Sequence, residues 1–563
     1  MASEDIIATA TATTEAIEAA LKWIESPGVD QIVGRERSSI IRGLQQTRTR
    51  AKRLSASAAR PMSVGVFGPS QAGKSYLVEV LARPEAGPLR ARFDNMEPID
   101  FLSEINPIGE KESTGLVTRF TTRPAKDKAP EGFPVRLSLL SELDIVKILG
   151  NTFFLDGDQT KERRFEPEEM SEVLGRLSGP AAAGAATLSE EDIFDLHDYF
   201  DRNLAGSRSM DSLGGYWDEL RNRLPQAPLA DRALLMSFLW GRHEPFTRLY
   251  EALARALDSL KGASELFAPI ASLIPRDGSI LDVSALAGLS NAKGDDIKVR
   301  TPTGVEASLP RPILAALTAE LRIELADTPR PFFQHTDLLD FPGARSRQKL
   351  HLASFFEGNH EALKETFLRG KVAYLFDRYV AEQELTSMLL CVRPSNQEVA
   401  TLPDLVNEWI EASHGRTPDA RKSQPTLLFL VLTWFDSHFV DKAGDVANPA
   451  ARFRARLEAS LLGFFGKAHA WPRNWAPARP FNNCFWFRNP NYPAESIIRY
   501  DGRRELAFLP DKEDRIQELR SGFLSLPEAS AHFKEPERAF DEALRLNDGG
   551  VSYLAANLEL VCR

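Results

Sequence analysis

A glycine-punctuated turn between an apolar strand and an apolar helix constrains this chain more than any other stretch. It is SVGVFGPSQAGKSYLVEVL, Ser63 to Leu81. Val64, Val66 and Phe67 read as strand, and Leu77, Val78 and Leu81 recur at helical spacing. Between them, Gly68-Pro69-Ser70-Gln71-Ala72-Gly73-Lys74-Ser75 matches GxxxxGK[ST] in the strand–turn–helix setting that a P-loop requires. Such a loop works because successive backbone N–H groups and a helix N-terminus converge on phosphate oxygens. Glycine at 68 and 73 allows the tight turn and close backbone approach. The expected phosphate site is Gly68 through Tyr76, with the Lys74 ammonium reaching the β- and γ-phosphates and the Ser75 hydroxyl on Mg²⁺. The bland alternative is a glycine turn with no ligand.

Composition narrows the remaining classes. The 563 residues are 43% hydrophobic and 26% charged, enough to bury a large core in two or three structural units. A net charge of −10 argues against broad nucleic-acid affinity. The 3 cysteines, Cys391, Cys484 and Cys562, are scattered without CxxC spacing, which suits a reducing compartment better than a disulfide framework or zinc site. The acidic start, MASEDIIATATATTEA, lacks the pattern of a signal peptide, and the apolar run Leu427–Leu432 is too short to span a bilayer. The expected location is the cytoplasm, with peripheral membrane contact or non-classical export into a host left open.

Five segments are expected along the chain. Residues 1–60 read as a helical arm whose basic cluster, Arg48, Arg50, Lys52 and Arg53, suits a solvated helix face. Residues 61–149 form the first part of a nucleotide-binding domain, including strands from near Leu116 and over Pro134–Leu140. Residues 150–330 read as a mainly helical insertion with a small β portion, a hairpin around Thr301–Gly304. Its His197, His243, Trp217 and Trp240 are expected to pack rather than ligate. Residues 331–505 complete the domain, and 506–563 read as a helical segment. Because the chain stops on an apolar helix without a polar tail, an incomplete C-terminus is expected.

Four further stretches are expected to join the P-loop. Thr114, with Ser113 as second choice, stands before a strand where a switch residue would close on Mg²⁺ and the γ-phosphate. Asp340-Phe341-Pro342-Gly343 is a DxxG turn after an apolar strand, its aspartate holding Mg²⁺ through water and the Gly343 N–H donating to phosphate. Position 344 is alanine, so the water-orienting glutamine of Ras-like enzymes is missing. Ser70 and Gln71 are the candidates to take its place, and Arg345 and Arg347 are candidate charge stabilisers. Thr433-Trp434-Phe435-Asp436 follows the buried strand of Leu427–Leu432, where guanine-specific proteins carry [NT]KxD. Asp436 would accept from the guanine edge, and Trp434 would offer a flat apolar face in place of lysine. Arg488 and Asn489, after Cys484–Phe487, are candidates to complete the base pocket.

In that order the motifs resemble those of translation-factor-related GTPases and, among them, the dynamin-like large GTPases. More narrowly, GVFGPSQAGKSYLVEVLA, ESTGLVTRFTTRP, LLDFPGARSR, LRGKVAYLFDRY and NCFWFRNPN resemble the SrfC-type bacterial virulence factors over most of residues 60–500. The resemblance implies an α/β fold with a central, mostly parallel P-loop GTPase-like sheet, a large helical insertion and flanking helical segments. It also implies GTP/GDP and Mg²⁺ as ligands, homodimerisation on nucleotide binding, and partners encoded by the same virulence locus. The expected activity is slow GTP hydrolysis in which Lys74, Thr114, Gln71 and Ser70 assist. Two alternatives stand beside it: a nucleotide-gated scaffold or toxin component with little turnover, and an ATPase of the same fold.

Overall fold

The computed structural model describes residues 3–84, 87–107, 114–162, 165–179, 188–204, 215–291, 294–327, 329–394, 399–440, 448–490, 492, 494–502 and 504–562. Ser113 lies outside them. The chain is mixed α/β and divides into two units. One comprises Met1–Pro61, Asp127–Arg322 and Arg347–Gln383, and the other Met62–Lys126, Ile323–Ser346 and Glu384–Arg563.

The second unit carries the Gly68–Ser75 loop. Its sheet has six principal strands: β1 (Met62–Phe67), β2 (Val117–Thr121), β3 (Thr336–Asp340), β4 (Ser387–Val392), β5 (Leu428–Leu432) and β6 (Cys484–Trp486). Their order is β2-β3-β1-β4-β5-β6. All pairings are parallel except β2 against β3, with Val64 opposite Leu338 on one side of β1 and Ser387 on the other. β4 and β5 are buried at every position, as expected of parallel strands covered on both faces. The β6 end is covered by an aromatic cluster: Trp486 lies 5.6 Å from Phe523, which lies 5.4 Å from Phe453. Residues 513–562 therefore fold as part of this unit, through helices Glu513–Leu524, Pro527–His532, Pro536–Leu544 and Val551–Glu559.

In the first unit, helices Ser3–Ile24 and Arg37–Ala59 pack on one another. The basic cluster is not simply solvated. Arg48 and Lys52 pair with Glu191 at 3.0 Å, and Arg53 pairs with Asp195 at 2.7 Å, all on helix Glu190–Asn203. Helix Glu244–Ser259 buries Phe246, Leu249, Tyr250, Leu253 and Leu257, the three-and-four spacing that marks it in the sequence. The strands Val135–Leu139, Glu265–Ala268, Asp296–Arg300 and Glu306–Pro310 pair antiparallel, so among the described residues parallel strand order belongs to the second unit. His197 stacks on Trp217 at 4.4 Å, a packing role.

The unit boundaries differ from the expected segments. Residues 1–61 share a unit with 127–322, and strand Val135–Leu139 and helix Ala362–Ala381 lie there rather than with the Gly68–Ser75 loop. Another difference is the stretch after 497, where Ile498–Asp501 and Arg504–Phe508 form an antiparallel hairpin before any helix begins.

Candidate nucleotide site

β1 has β3 on one side and β4 on the other, both parallel to it. In open α/β sheets a crevice for ligands opens where connections leave a strand in opposite directions, beyond the carboxyl ends of the strands. Gly68–Gly73 sits at that end of β1 and leads into helix Lys74–Ala82.

The loop's shape comes from its glycines. Gly68 (φ +144°) and Gly73 (φ +87°) occupy backbone regions that side chains disfavour. A Cβ at Gly68 would fall far inside contact distance of the Cys391 carbonyl oxygen, and one at Gly73 would lie 3.5 Å from the Thr433 methyl. Gln71 also has positive φ, +58°. Ser70, Gln71 and Ser75 are exposed, whereas Ala72 and Lys74 are buried. The Lys74 ammonium donates to the Pro69 carbonyl at 2.8 Å, folding back over its own loop. Tyr76 is half-buried and packs 5.7 Å from Phe487; burial raises its hydroxyl's pKa, so it stays protonated at neutral pH.

The DxxG turn lies against the loop. The Phe341 N–H donates to the Val66 carbonyl at 3.3 Å, the Ala344 N–H donates to the Gly68 carbonyl at 3.1 Å, and Pro69 and Ala344 form a parallel bridge. Asp340 ends β3 half-buried, in register with Val66. Gly343 and Ala344 are buried. Arg345 is exposed, and Arg347 is engaged elsewhere, paired with the buried Asp156 at 3.1 Å. Thr114 is half-buried at the lead-in to β2, with β3 standing between β2 and β1.

A second cluster sits at the ends of β5 and β6. Thr433 is buried, and its N–H and hydroxyl donate to the Val392 carbonyl at 3.0 and 3.1 Å. Its side chain thus holds β4 to β5. Trp434 adopts φ +62° and faces Tyr492 at 4.8 Å. Asp436 Oδ2 accepts from the Asn489 N–H at 2.9 Å, while Oδ1 is buried without a hydrogen-bond partner among the described residues. Burial pushes the Asp436 carboxyl up to about 6, partly offset by the Arg488 charge and the Asn489 N–H. Arg488 differs from the expectation of a base-pocket donor. It is fully buried and committed to Glu505 through both terminal nitrogens, one at 2.7 Å, with Nε on the Ala543 carbonyl at 3.1 Å.

These features fit a nucleotide. The loop is a cradle that a Cβ at Gly68 would fill, Asp436 Oδ1 is an orphaned buried acceptor, and Ser75, Asp340 and Thr114 are oxygen donors of the kind Mg²⁺ takes. Glu505 and Tyr492 are missing from the sequence-based set. For Glu505 a signal exists: Asp501-Gly502 between IIRY and RRELAF is a strong hairpin turn pair, and a strand there makes a buried partner for Arg488 possible.

Among the described residues, no helix is long and apolar enough to cross a membrane. A family model described as "Putative bacterial virulence factor" matches residues 20–563. No curated protein matches the chain.

Proposed function

The chain belongs to the putative bacterial virulence factor family, and on that premise we propose that it is a Mg²⁺-dependent P-loop nucleotide-binding protein that hydrolyses GTP. The observation that carries the reading is the convergence at one end of the parallel sheet. The glycine loop after β1, the DxxG turn after β3 and the Thr433–Asp436 segment after β5 all sit at carboxyl ends of strands. The Ala344–Gly68 bond ties the first two together, and the Gly73–Thr433 approach ties the first to the third.

In this reading Lys74 leaves the Pro69 carbonyl for the β- and γ-phosphates, and the loop N–H groups point at the same oxygens. Ser75, Thr114 and, through water, Asp340 would hold Mg²⁺, which would supply positive charge to neutralise the phosphates. Asp436 and Asn489 face the base edge, with Trp434 and Tyr492 as apolar walls. Catalysis is positional and electrostatic. Ala344 cannot orient water, so that task falls to the exposed Ser70 and Gln71, and intrinsic turnover is slow, rising on nucleotide-driven self-association. The same alanine favours a second reading, a nucleotide-gated scaffold or toxin component with little turnover.

Equilibrium titration of fluorescent GTP and ATP analogues, with Mg²⁺ and then with chelator, tests the assignment. The expected result is roughly micromolar GTP binding that ATP does not displace and that chelation weakens. Preferential ATP binding would retire the guanine reading, and binding of neither would leave the P-loop fold serving structure alone. Phosphate release at rising protein concentration separates the enzyme from the scaffold.

Asp436→Asn is expected to weaken GTP at least about tenfold and to let xanthosine triphosphate partly recover binding, because the amide now offers a donor. The pH dependence has a definite sign. The ionised carboxylate accepts from guanine, so GTP affinity holds above pH 7 and falls as pH drops through about 6, approaching tenfold per unit below it. A flat profile from pH 7.5 to 5 would separate Asp436 from base recognition.

A further inference from the structure

Around Asp436 lies an arrangement that a simple base-reading carboxylate does not need. Arg488 Nη1 is 3.7 Å from Asp436 Oδ1, an ion pair just beyond hydrogen-bond reach, and a shift of about 1 Å would draw the two into a hydrogen-bonded pair. That pair would occupy the one oxygen of Asp436 that has no hydrogen-bond partner. Glu505 stands against this. Its carboxylate takes both terminal nitrogens of Arg488, and it is as fully buried as the guanidinium. It is itself held from the C-terminal stretch. The Asn547 N–H donates to Glu505 Oε2 at 2.7 Å, and the Glu505 N–H donates to Asn547 Oδ1 at 2.9 Å. The Asn547 amide also donates to the Glu505 carbonyl at 2.9 Å. Behind Arg488, the Ala543 and Arg545 carbonyls accept from its Nε and Nη2, and its own N–H donates to the Gly549 carbonyl.

We infer that Glu505 is a positioning residue for base recognition: by engaging both arms of Arg488 it keeps that cation from hydrogen-bonding Asp436 Oδ1 and leaves the oxygen's hydrogen bond to the nucleobase. The inference rests on the guanine reading of Asp436 proposed above. It extends the base site to residues 543–549, whose carbonyls and Asn547 fix the geometry of the Arg488–Glu505 pair. The geometry of a buried pair is well suited to this role. Two charges in low dielectric bind each other tightly, and loosening one frees the other for the nearest carboxylate.

The test uses the full chain and reads the ratio of GTP to ATP dissociation constants, which general damage to the unit would leave near its wild-type value. Glu505→Gln weakens the grip on Arg488 and is expected to cut the preference for GTP by about tenfold or more. The double variant Glu505→Gln/Arg488→Met removes the competing cation and leaves no unpaired buried charge, and it is expected to regain the preference. Should Glu505→Gln alone fail to fold, the double variant carries the test. Unchanged preference in Glu505→Gln, or a double variant without the preference, would overturn the inference. Asp436→Asn run alongside separates the two levels. If it leaves the ratio untouched, the base reading itself fails; if it collapses the ratio while Glu505→Gln does not, only the positioning role fails.

Discussion

If the loop binds GTP as proposed, Lys74→Ala is expected to lower affinity for GTP in the presence of Mg²⁺ by at least about a hundredfold in the same titration, with the near-ultraviolet circular dichroism of the parent retained. The size follows from where the ammonium stands. It is buried at the start of helix Lys74–Ala82 and bonded to the carbonyl of Pro69, so its charge is held inside the loop rather than in solvent. A charge desolvated in that way meets phosphate oxygens at low dielectric, where each contact is stronger than at a surface. The cost to folding is expected to be small by comparison, about 1–2 kcal/mol, the scale of a hydrogen bond such as the one to the Pro69 carbonyl. Lys74→Arg is a useful companion. A planar fork does not replace a point charge in so close a cradle, so it too binds weakly although the charge is kept. A Lys74→Ala protein with the parent's affinity would remove the phosphate role from this loop.

Much of the P-loop unit can be read from local pattern, because its strands are short apolar runs ended by turn residues. Val64–Phe67, Leu338–Asp340, Met388–Val392 and Leu428–Leu432 each satisfy that description, and each is a strand. What local pattern does not carry is the identity of a partner. Val135–Leu139 alternates as any half-buried strand does, and nothing in its residues says that it pairs with Glu265–Ala268 in the other unit rather than beside β1. The chain passes between units at 61, 126, 322, 346 and 383; the first lies where the sequence reading ends the helical arm, but the other four do not coincide with the expected segment ends. The same limit applies at the site. Asp436 is legible because a strand end and a motif mark it. Arg488 is legible as a residue near the base end, but its pairing with Glu505 depends on a hairpin folding back beneath it, a tertiary contact without sequence periodicity. The aromatic pair Trp434–Tyr492 likewise joins two loops far apart in the chain.

Gly68→Ala is expected to cost about 2–4 kcal/mol of stability in the second unit and to abolish the proposed nucleotide binding with it. Two penalties coincide there. The backbone sits at φ +144°, which a Cβ disfavours, and the added methyl would collide with the carbonyl oxygen of Cys391. That oxygen cannot yield cheaply, because Cys391 lies in β4, which is hydrogen-bonded between β1 and β5 and buried at every position. Relief must come from displacing the loop, and the Gly68 carbonyl also accepts from the Ala344 N–H, so the DxxG turn would shift with it. Gly87→Ala separates the two penalties. Its φ is +126°, but the nearest atom to a new Cβ is a Pro84 carbon at 3.7 Å, an ordinary contact. Strain without collision predicts a loss of only about 1 kcal/mol there, with GTP affinity unchanged. Urea unfolding followed by tryptophan fluorescence, to which Trp486 at the end of β6 contributes, measures both variants against the parent. Equal midpoints for Gly68→Ala and Gly87→Ala would mean that the β4 carbonyl does not press on the loop, and the tight cradle on which phosphate binding depends would have to be abandoned.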